Sequence, residues 1–159
     1  MQTEIVLTPA QQAAFLGLLE GISVGGILVL RGEPGSGKTT ILENIRAAKG
    51  GTLIGVREFL DARDEAFLRT IEDALYAHDL IMVDDLHLVT NIVQARNYQR
   101  AYLLDAALTA LLAEAGVLKK TLLFATRHRV PWAIGRRATS GVGLPARPRR
   151  RTTKAWISH

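Results

Sequence analysis

The chain has 159 residues, of which 48% are hydrophobic and 22% are charged, a composition typical of a globular protein and unlike that of a disordered one. It contains no cysteine, which excludes disulfides and thiolate metal sites. Its apolar runs are too short to cross a bilayer and its amino terminus lacks a secretory-signal pattern, so we expect a cytoplasmic protein with no membrane partner.

The net charge of +5 is distributed unevenly along the chain. Residues 1–118 contain 9 Lys+Arg and 15 Asp+Glu, whereas residues 119–159 contain 11 Lys+Arg and no acidic residue. The basic character therefore belongs to the last quarter of the sequence. A nucleic-acid partner is a hypothesis for that segment alone.

The first predicted helix begins at a capping signature. Thr8-Pro9-Ala10-Gln11 combines a capping hydroxyl, a proline at the first helical position and a glutamine three residues after the cap. Gly21 is predicted to end this helix. The apolar run at residues 27–30 then predicts a strand, and a glycine-rich turn after it leads into a helix over about 39–49.

The rest of the chain alternates strands and helices. Strands are predicted at residues 53–56, 80–83 and 121–125, and helices at 64–77 and 98–115, the last ending at Gly116. The run at 80–83 is apolar throughout, which is typical of a strand covered on both faces. This alternation predicts an α/β fold with a parallel sheet flanked by helices.

The composition changes near residue 140. Glycine, proline and arginine dominate from there without sustained periodicity, so we expect residues 1–140 to form one domain and residues 141–159 to be a disordered basic tail. The tail either binds nucleic-acid phosphates nonspecifically or is simply solvated. Its cationic cluster consists of Arg147, Arg149, Arg150, Arg151 and Lys154.

The connection between the first strand and the second helix matches the Walker A pattern in full. This glycine loop, residues 32–39, reads Gly32-Glu33-Pro34-Gly35-Ser36-Gly37-Lys38-Thr39. Its glycines permit the backbone N–H groups to surround a phosphate, and the following helix directs its positive end at the same place. We expect Lys38 to bind the β- and γ-phosphates of ATP, Thr39 to offer its hydroxyl to Mg²⁺, and Thr40 to support the α-phosphate.

Two carboxylates follow the apolar run at 80–83, which is the Walker B arrangement. In an open parallel sheet ligands bind beyond the carboxyl ends of the strands, so Asp84 and Asp85 are expected to face the same phosphates. We assign Asp84 to the magnesium ion through its water shell and Asp85 to the orientation of the attacking water. An Asp reaches about one methylene less far than a Glu, so hydrolysis is expected to be slow.

With these residues the chain resembles the AAA+ ATPase family over about Leu7 to Arg137. The most specific segments are residues 32–40, 80–88 and 122–137. The resemblance implies a three-layer P-loop NTPase fold and an ATP-hydrolysing domain that couples nucleotide state to partner binding or to assembly. A homo-oligomer or a protein partner is implied in the same way.

The family also implies roles for three residues beyond the two motifs. Thr126 matches the position that senses the γ-phosphate, although the usual Asn is absent and Arg127 stands beside it. Arg136 or Arg137 matches the arginine that enters the ATP site of a neighbouring subunit; a solvated basic surface is the alternative for both.

The chain departs from the family after Arg137. By comparison with the family, we expect a core that lacks the helical lid and its second sensor arginine, and a fifth strand is hard to find because Val142 and Leu144 are poor candidates. Two other functions therefore stay open. One is a small-molecule P-loop kinase, which has a similar length; the other is a noncatalytic ATP-binding switch or adaptor.

Overall fold

A computed structural model of the chain describes residues 6–55, 64–87, 101–127 and 138–145. The elements, in chain order, are α1 (Pro9–Val24), β1 (Ile27–Arg31), α2 (Lys38–Lys49), β2 (Thr52–Ile54), α3 (Asp64–Ala77), β3 (Leu80–Val83), α4 (Ala101–Val117), β4 (Thr121–Thr126) and β5 (Ala138–Gly143). They build one five-stranded sheet in the order β2-β3-β4-β1-β5. Each pair of neighbouring strands is parallel, so the predicted α/β fold with a parallel sheet flanked by helices is confirmed.

The sheet separates two apolar clusters, because alternate residues of each strand point to opposite faces. Val29, Ile81 and Phe124 lie on one face with buried residues of α3 and α4. Leu30 and Met82 lie on the other face with buried residues of α1 and α2. The result is a three-layer arrangement in which β1, β3 and β4 are buried on both sides.

The predicted cap of α1 is confirmed. The Thr8 side chain accepts a hydrogen bond from the backbone N–H of Gln11, and the Gln11 side chain accepts one from the backbone N–H of Thr8. The predicted end at Gly21 is wrong, because α1 continues to Val24 and stops where Gly25 adopts a φ of 84°. Gly25 closes the helix by donating its N–H to the Gly21 carbonyl.

Other boundaries differ from the sequence prediction by one to a few residues. Strand β2 is shorter than predicted and lies at Thr52–Ile54. Helix α4 passes through Gly116 and ends at Val117. The predicted strand residue Val56 and the predicted helix residue Tyr98 lie outside the described residues.

The fifth strand corrects the prediction for the end of the domain. We expected an irregular chain from residue 141 onward and rejected Val142 and Leu144 as strand candidates. Instead β5 runs to Gly143 and pairs with β1, and Leu144 is buried in the cluster that α1 and α2 cover. The remaining tail, residues 146–159, lies outside the described residues, so its predicted disorder stays a prediction.

The reason for this error is that β5 depends on its neighbour for its conformation. A segment of small residues and glycines has a low strand propensity of its own, and strand propensity is governed mainly by packing context. Here the β1 backbone supplies the hydrogen bonds, and Leu144 N–H continues them by donating to the Arg31 carbonyl at 2.7 Å. Val142 packs partly buried against the same cluster.

Among the described residues, no helix combines the length and the apolar character that a bilayer crossing needs.

The packing of Leu144 tests whether the domain includes β5. Leu144→Ala removes a side chain that is only 9% exposed, so we expect the free energy of unfolding to fall by about 2 kcal/mol. Val117→Ala, at a site 81% exposed, is the matched control and should change stability by less than about 0.5 kcal/mol. Urea denaturation measures both variants, and equal stabilities would contradict the assignment of Leu144 to the core.

Candidate nucleotide-binding site

The segments singled out in the sequence meet at one edge of the sheet. Strands β1, β4 and β3 are neighbours, with Arg31 paired to Thr126 and Val83 paired to Phe124. Because the strands are parallel, the residues that follow each of them emerge at the same edge. The glycine loop, Asp84 and Arg127 are therefore collected in one place.

The glycine loop adopts a shape that only glycine reaches easily. Gly35 and Gly37 have φ angles of 75° and 87°, in the left-handed region. Gly37 is also the N-cap of α2 and has no side chain to cap the helix. Because no side chain at Gly37 accepts from the first backbone N–H groups of α2, this end of the helix is well suited to bind an anion.

Ser36 adds a second feature that suits an anionic ligand. Its hydroxyl oxygen is buried and has no hydrogen-bond partner among the described residues. Buried hydroxyl groups are normally hydrogen-bonded, so an isolated one inside a loop fits a site that a ligand completes. Gly32 lies directly against it, since a Cβ on Gly32 would approach the Ser36 hydroxyl to 2.6 Å.

Lys38 is buried beneath the loop. Its ammonium donates hydrogen bonds to the carbonyl oxygens of Gly32 at 2.7 Å and Glu33 at 3.2 Å. Both acceptors are neutral carbonyl groups, and the charge of Lys38 also acts on Asp84, where it opposes the larger effect of burial on the pKa of that carboxyl. The lysine is thus held with its positive charge available to an anion bound in the loop.

Thr39 and Asp84 join the two motifs. The Thr39 hydroxyl donates to Asp84 Oδ2 at 2.6 Å, across 45 residues of sequence. The other oxygen, Oδ1, accepts the backbone N–H of Asp85 at 2.8 Å, and Asp84 N–H donates to the Ile54 carbonyl. The carboxylate is therefore fixed in orientation beside the first turn of α2.

A hydroxyl and a carboxylate in contact suit a small hard cation such as Mg²⁺, which prefers oxygen ligands and keeps several waters. The described residues contain no cluster of three or more acidic or histidine side chains able to hold a metal by themselves. A magnesium ion here would accordingly depend on Thr39, Asp84, water and the oxygens of a bound phosphate.

Asp85 turns the chain sharply at the end of β3. Its φ of 48° lies in the left-handed region, which Asp and Asn tolerate better than other residues with a Cβ. This conformation breaks the strand alternation, and the side chain is 38% exposed, with His87 Nδ1 at 4.0 Å from one carboxylate oxygen. Such strain at a strand end is often found at functional sites.

Thr126 and Arg127 occupy different environments at the end of β4. Thr126 is only 1% exposed and lies within the sheet, where its carbonyl accepts the N–H of Gly32. Arg127 is exposed, and its Nε donates to Glu33 Oε2 at 3.0 Å. The sensing role of Thr126 stays a prediction, while the contact of Arg127 with the glycine loop was not anticipated. The sequence signal that could have indicated this contact was the position of Arg127 directly after Thr126.

The remaining predicted residues can be placed only in part. Thr40 lies in the first turn of α2, where its carbonyl accepts a hydrogen bond from the Asn44 side chain. Pro34 is an exposed residue of the glycine loop. Arg136 and Arg137 lie outside the described residues.

A solved structure supports the fold assignment. The crystal structure of a DNA replication initiation factor is similar to this chain, with a TM-score of 0.57 and 14% sequence identity. The similarity covers 89% of this chain and 48% of that one, so this chain spans about half the length of the replication factor. The two proteins share an α/β fold. No protein-family profile matches the sequence, and no curated protein matches it either.

The burial of Asp84 has a consequence for stability. Desolvation raises the pKa of Asp84 above its ordinary value, and this effect exceeds the opposing hydrogen bond from Thr39. The folded state consequently holds the proton more strongly than the unfolded state. Stability therefore falls as pH rises through the interval between the unfolded and the folded pKa, and the cost is fully present above it.

Asp84→Asn removes this cost and keeps the shape of the site, since an amide can accept from Asp85 N–H and donate to the Thr39 hydroxyl. We expect the metal-free variant to melt at a higher temperature at pH 7.5, by roughly 2–4 °C for each kcal/mol of desolvation removed. The difference should shrink as the pH is lowered towards 4. A variant that melts below the parent at pH 7.5 would contradict the dominance of burial.

Proposed function

We propose that this chain is an ATP-binding domain of the AAA+ type that holds Mg·ATP at the glycine loop and hydrolyses it. The observation that carries the proposal is the 2.6 Å hydrogen bond from Thr39 to Asp84. It brings the Walker A threonine and the Walker B aspartate into direct contact, as a shared metal-bound phosphate requires. The similarity to the replication factor supports the same class of fold.

The glycine loop and Lys38 would bind the phosphates. Backbone N–H groups of Gly35 and of residues 37–40, together with the N-terminal end of α2, offer donors and positive potential. Lys38 would exchange its two carbonyl acceptors for the β- and γ-phosphate oxygens, which carry full charge and form stronger hydrogen bonds. Thr40 would support the α-phosphate from the same helical turn.

Thr39 and Asp84 would hold the magnesium ion, and Asp85 would orient the attacking water. A bound magnesium ion neutralises phosphate charge as it develops during transfer. Asp84 lies against Thr39, whereas Asp85 is turned away from the strand direction and is partly open to solvent. The two neighbouring carboxylates thus have separate roles, and Thr126 would sense the γ-phosphate from the end of β4.

Full activity would require a neighbouring subunit. Arg136 or Arg137 would enter the ATP site of the adjacent copy, and an arginine supplied in this way accelerates hydrolysis by roughly 10³–10⁵-fold in other nucleotidases. Nucleotide state would then control assembly or partner binding. The basic cluster at residues 147–154 would provide a nonspecific contact to nucleic acid.

One observation favours a noncatalytic switch as the second candidate. Asp85 has a short side chain and a left-handed backbone conformation, which together restrict how far its carboxylate reaches towards a γ-phosphate. A switch would bind ATP tightly without turnover. A small-molecule kinase, by comparison, would release no inorganic phosphate in the absence of an acceptor.

Nucleotide binding is tested at Lys38. Lys38→Ala removes the charged donor, and loss of a charge-assisted hydrogen bond to phosphate should weaken the affinity for ATP by roughly 10–100-fold. Lys49→Ala, at the exposed end of α2, is the matched control and should bind as the parent does. Titration with a fluorescent ATP analogue measures both. Equal affinity of Lys38→Ala and the parent would overturn the proposal.

Hydrolysis is tested at Asp85. Asn tolerates the same backbone conformation, so Asp85→Asn should bind ATP within about threefold of the parent while kcat falls by roughly 10²–10⁴-fold. Phosphate release without an added acceptor is the measurement.

Turnover by the parent is measured in the same assay across a range of protein concentrations. The specific rate should rise with concentration, since the arginine comes from a second subunit. A specific rate independent of concentration would contradict the role of Arg136 or Arg137, and binding without turnover at every concentration would favour the switch.

A further inference from the structure

The N-terminal end of α1 contacts the glycine loop through the side chain of Gln11. Gln11 Nε2 donates to the carbonyl oxygen of Ser36 at 2.9 Å, across 25 residues of sequence. The other end of the same amide, Oε1, accepts the backbone N–H of Thr8 at 2.9 Å. Because an N–H group needs an oxygen as its partner, the contact with Thr8 determines that the NH₂ end faces the loop.

The contact is close and depends on glycine at position 37. A Cβ on Gly37 would lie 2.1 Å from Gln11 Nε2, which is far below van der Waals distance. The amide of Gln11 therefore occupies the space that a side chain at Gly37 would fill. It lies against the peptide bond between Ser36 and Gly37, just before α2 begins.

This peptide bond can adopt two orientations at low cost. Rotating it changes mainly the ψ angle of Ser36 and the φ angle of Gly37, and glycine accepts φ of either sign. Rotation exchanges the directions of the Gly37 N–H and the Ser36 carbonyl. The choice matters for a phosphate, because an N–H group would donate to it and a carbonyl oxygen would repel it.

The hydrogen bond from Gln11 selects between them. In a planar trans peptide the C=O and N–H groups point in opposite directions. Since Gln11 holds the Ser36 carbonyl towards α1, the Gly37 N–H is directed away from α1.

We propose that Gln11 is a positioning residue for phosphate binding: it fixes the orientation of the Ser36–Gly37 peptide so that the Gly37 N–H is available to the nucleotide. The inference rests on the proposed function, because it describes how the same site is prepared for its ligand. Gln11, in the first turn of α1, would then contribute to nucleotide binding as well as to helix capping.

Substitution can separate the two roles of Gln11, which are capping α1 and donating to the Ser36 carbonyl. Gln11→Glu keeps an oxygen for the Thr8 N–H, and glutamate is a normal partner in this type of cap. It replaces the donor to Ser36 by a carboxylate, which cannot donate and repels the carbonyl. We therefore expect a melting temperature close to that of the parent and an affinity for ADP that is about tenfold weaker at pH 7.5.

Thr8→Ala is the reciprocal control. It removes the capping hydroxyl, so the melting temperature should fall, but it leaves the Gln11 donor to Ser36 in place. Its affinity for ADP should stay within about twofold of the parent. Should Gln11→Glu fail to fold, Gln11→Met provides the comparison with Thr8→Ala, since it also lacks the donor to the loop.

A pH series distinguishes positioning from a general structural effect. When the introduced carboxyl is protonated it can donate to the Ser36 carbonyl again. The difference in ADP affinity between Gln11→Glu and the parent should therefore narrow as pH falls from 7.5 towards 4, because a glutamate carboxyl takes up its proton mainly below about pH 5. Fluorescence titration with an ADP analogue gives the dissociation constants, and thermal melting at each pH monitors folding.

The outcomes are distinct. Equal ADP affinity of parent and Gln11→Glu, or a difference in affinity that does not depend on pH, would overturn the positioning role. A parent that binds no ADP or ATP would overturn the proposed function itself.

Discussion

The contact between Thr39 and Asp84 is the interaction on which the candidate site depends. It can form only because α2 begins where β1 ends and because β3 ends at the same edge of a parallel sheet. Burial makes this contact costly, since the Asp84 carboxylate is desolvated and its pKa is raised. A divalent cation with phosphate oxygens would compensate that cost. The arrangement thus lowers the stability of the free chain but suits the binding of a cation with phosphate.

A loop rich in glycine can surround a phosphate but does not hold its shape alone, and the neighbouring elements provide the missing restraints. Lys38 holds the start of the loop from inside through two carbonyl oxygens. Gln11 holds its end from α1, and Arg127 binds Glu33 from β4. The ion pair between Arg127 and Glu33 is half exposed, so it contributes at most about 1 kcal/mol and could be exchanged when a phosphate binds.

The sequence was sufficient wherever the signal was local or repeated along one element. The cap at Thr8 and Gln11, the apolar run at 80–83 and the glycine loop were each predicted at their observed positions. It was insufficient for β5, because a strand of small residues is stabilised by its pairing with β1 and by the burial of Leu144. Contacts such as Gln11 with Ser36 join residues that are distant in sequence and share no motif.

By itself, the order of residues determined that a glycine loop lies between an apolar strand and an amphipathic helix, and that two carboxylates end another strand. Only the tertiary structure decided that the Asp84 carboxylate meets the Thr39 hydroxyl, and that the Arg127 side chain contacts Glu33 of the glycine loop while Thr126 contacts Gly32 through its backbone carbonyl. The physical reason is that packing across the whole sheet determines the order of the strands and the direction in which each side chain points. The types of functional side chain at a strand end can be predicted from a motif, but the direction in which each side chain points depends on the neighbouring strands.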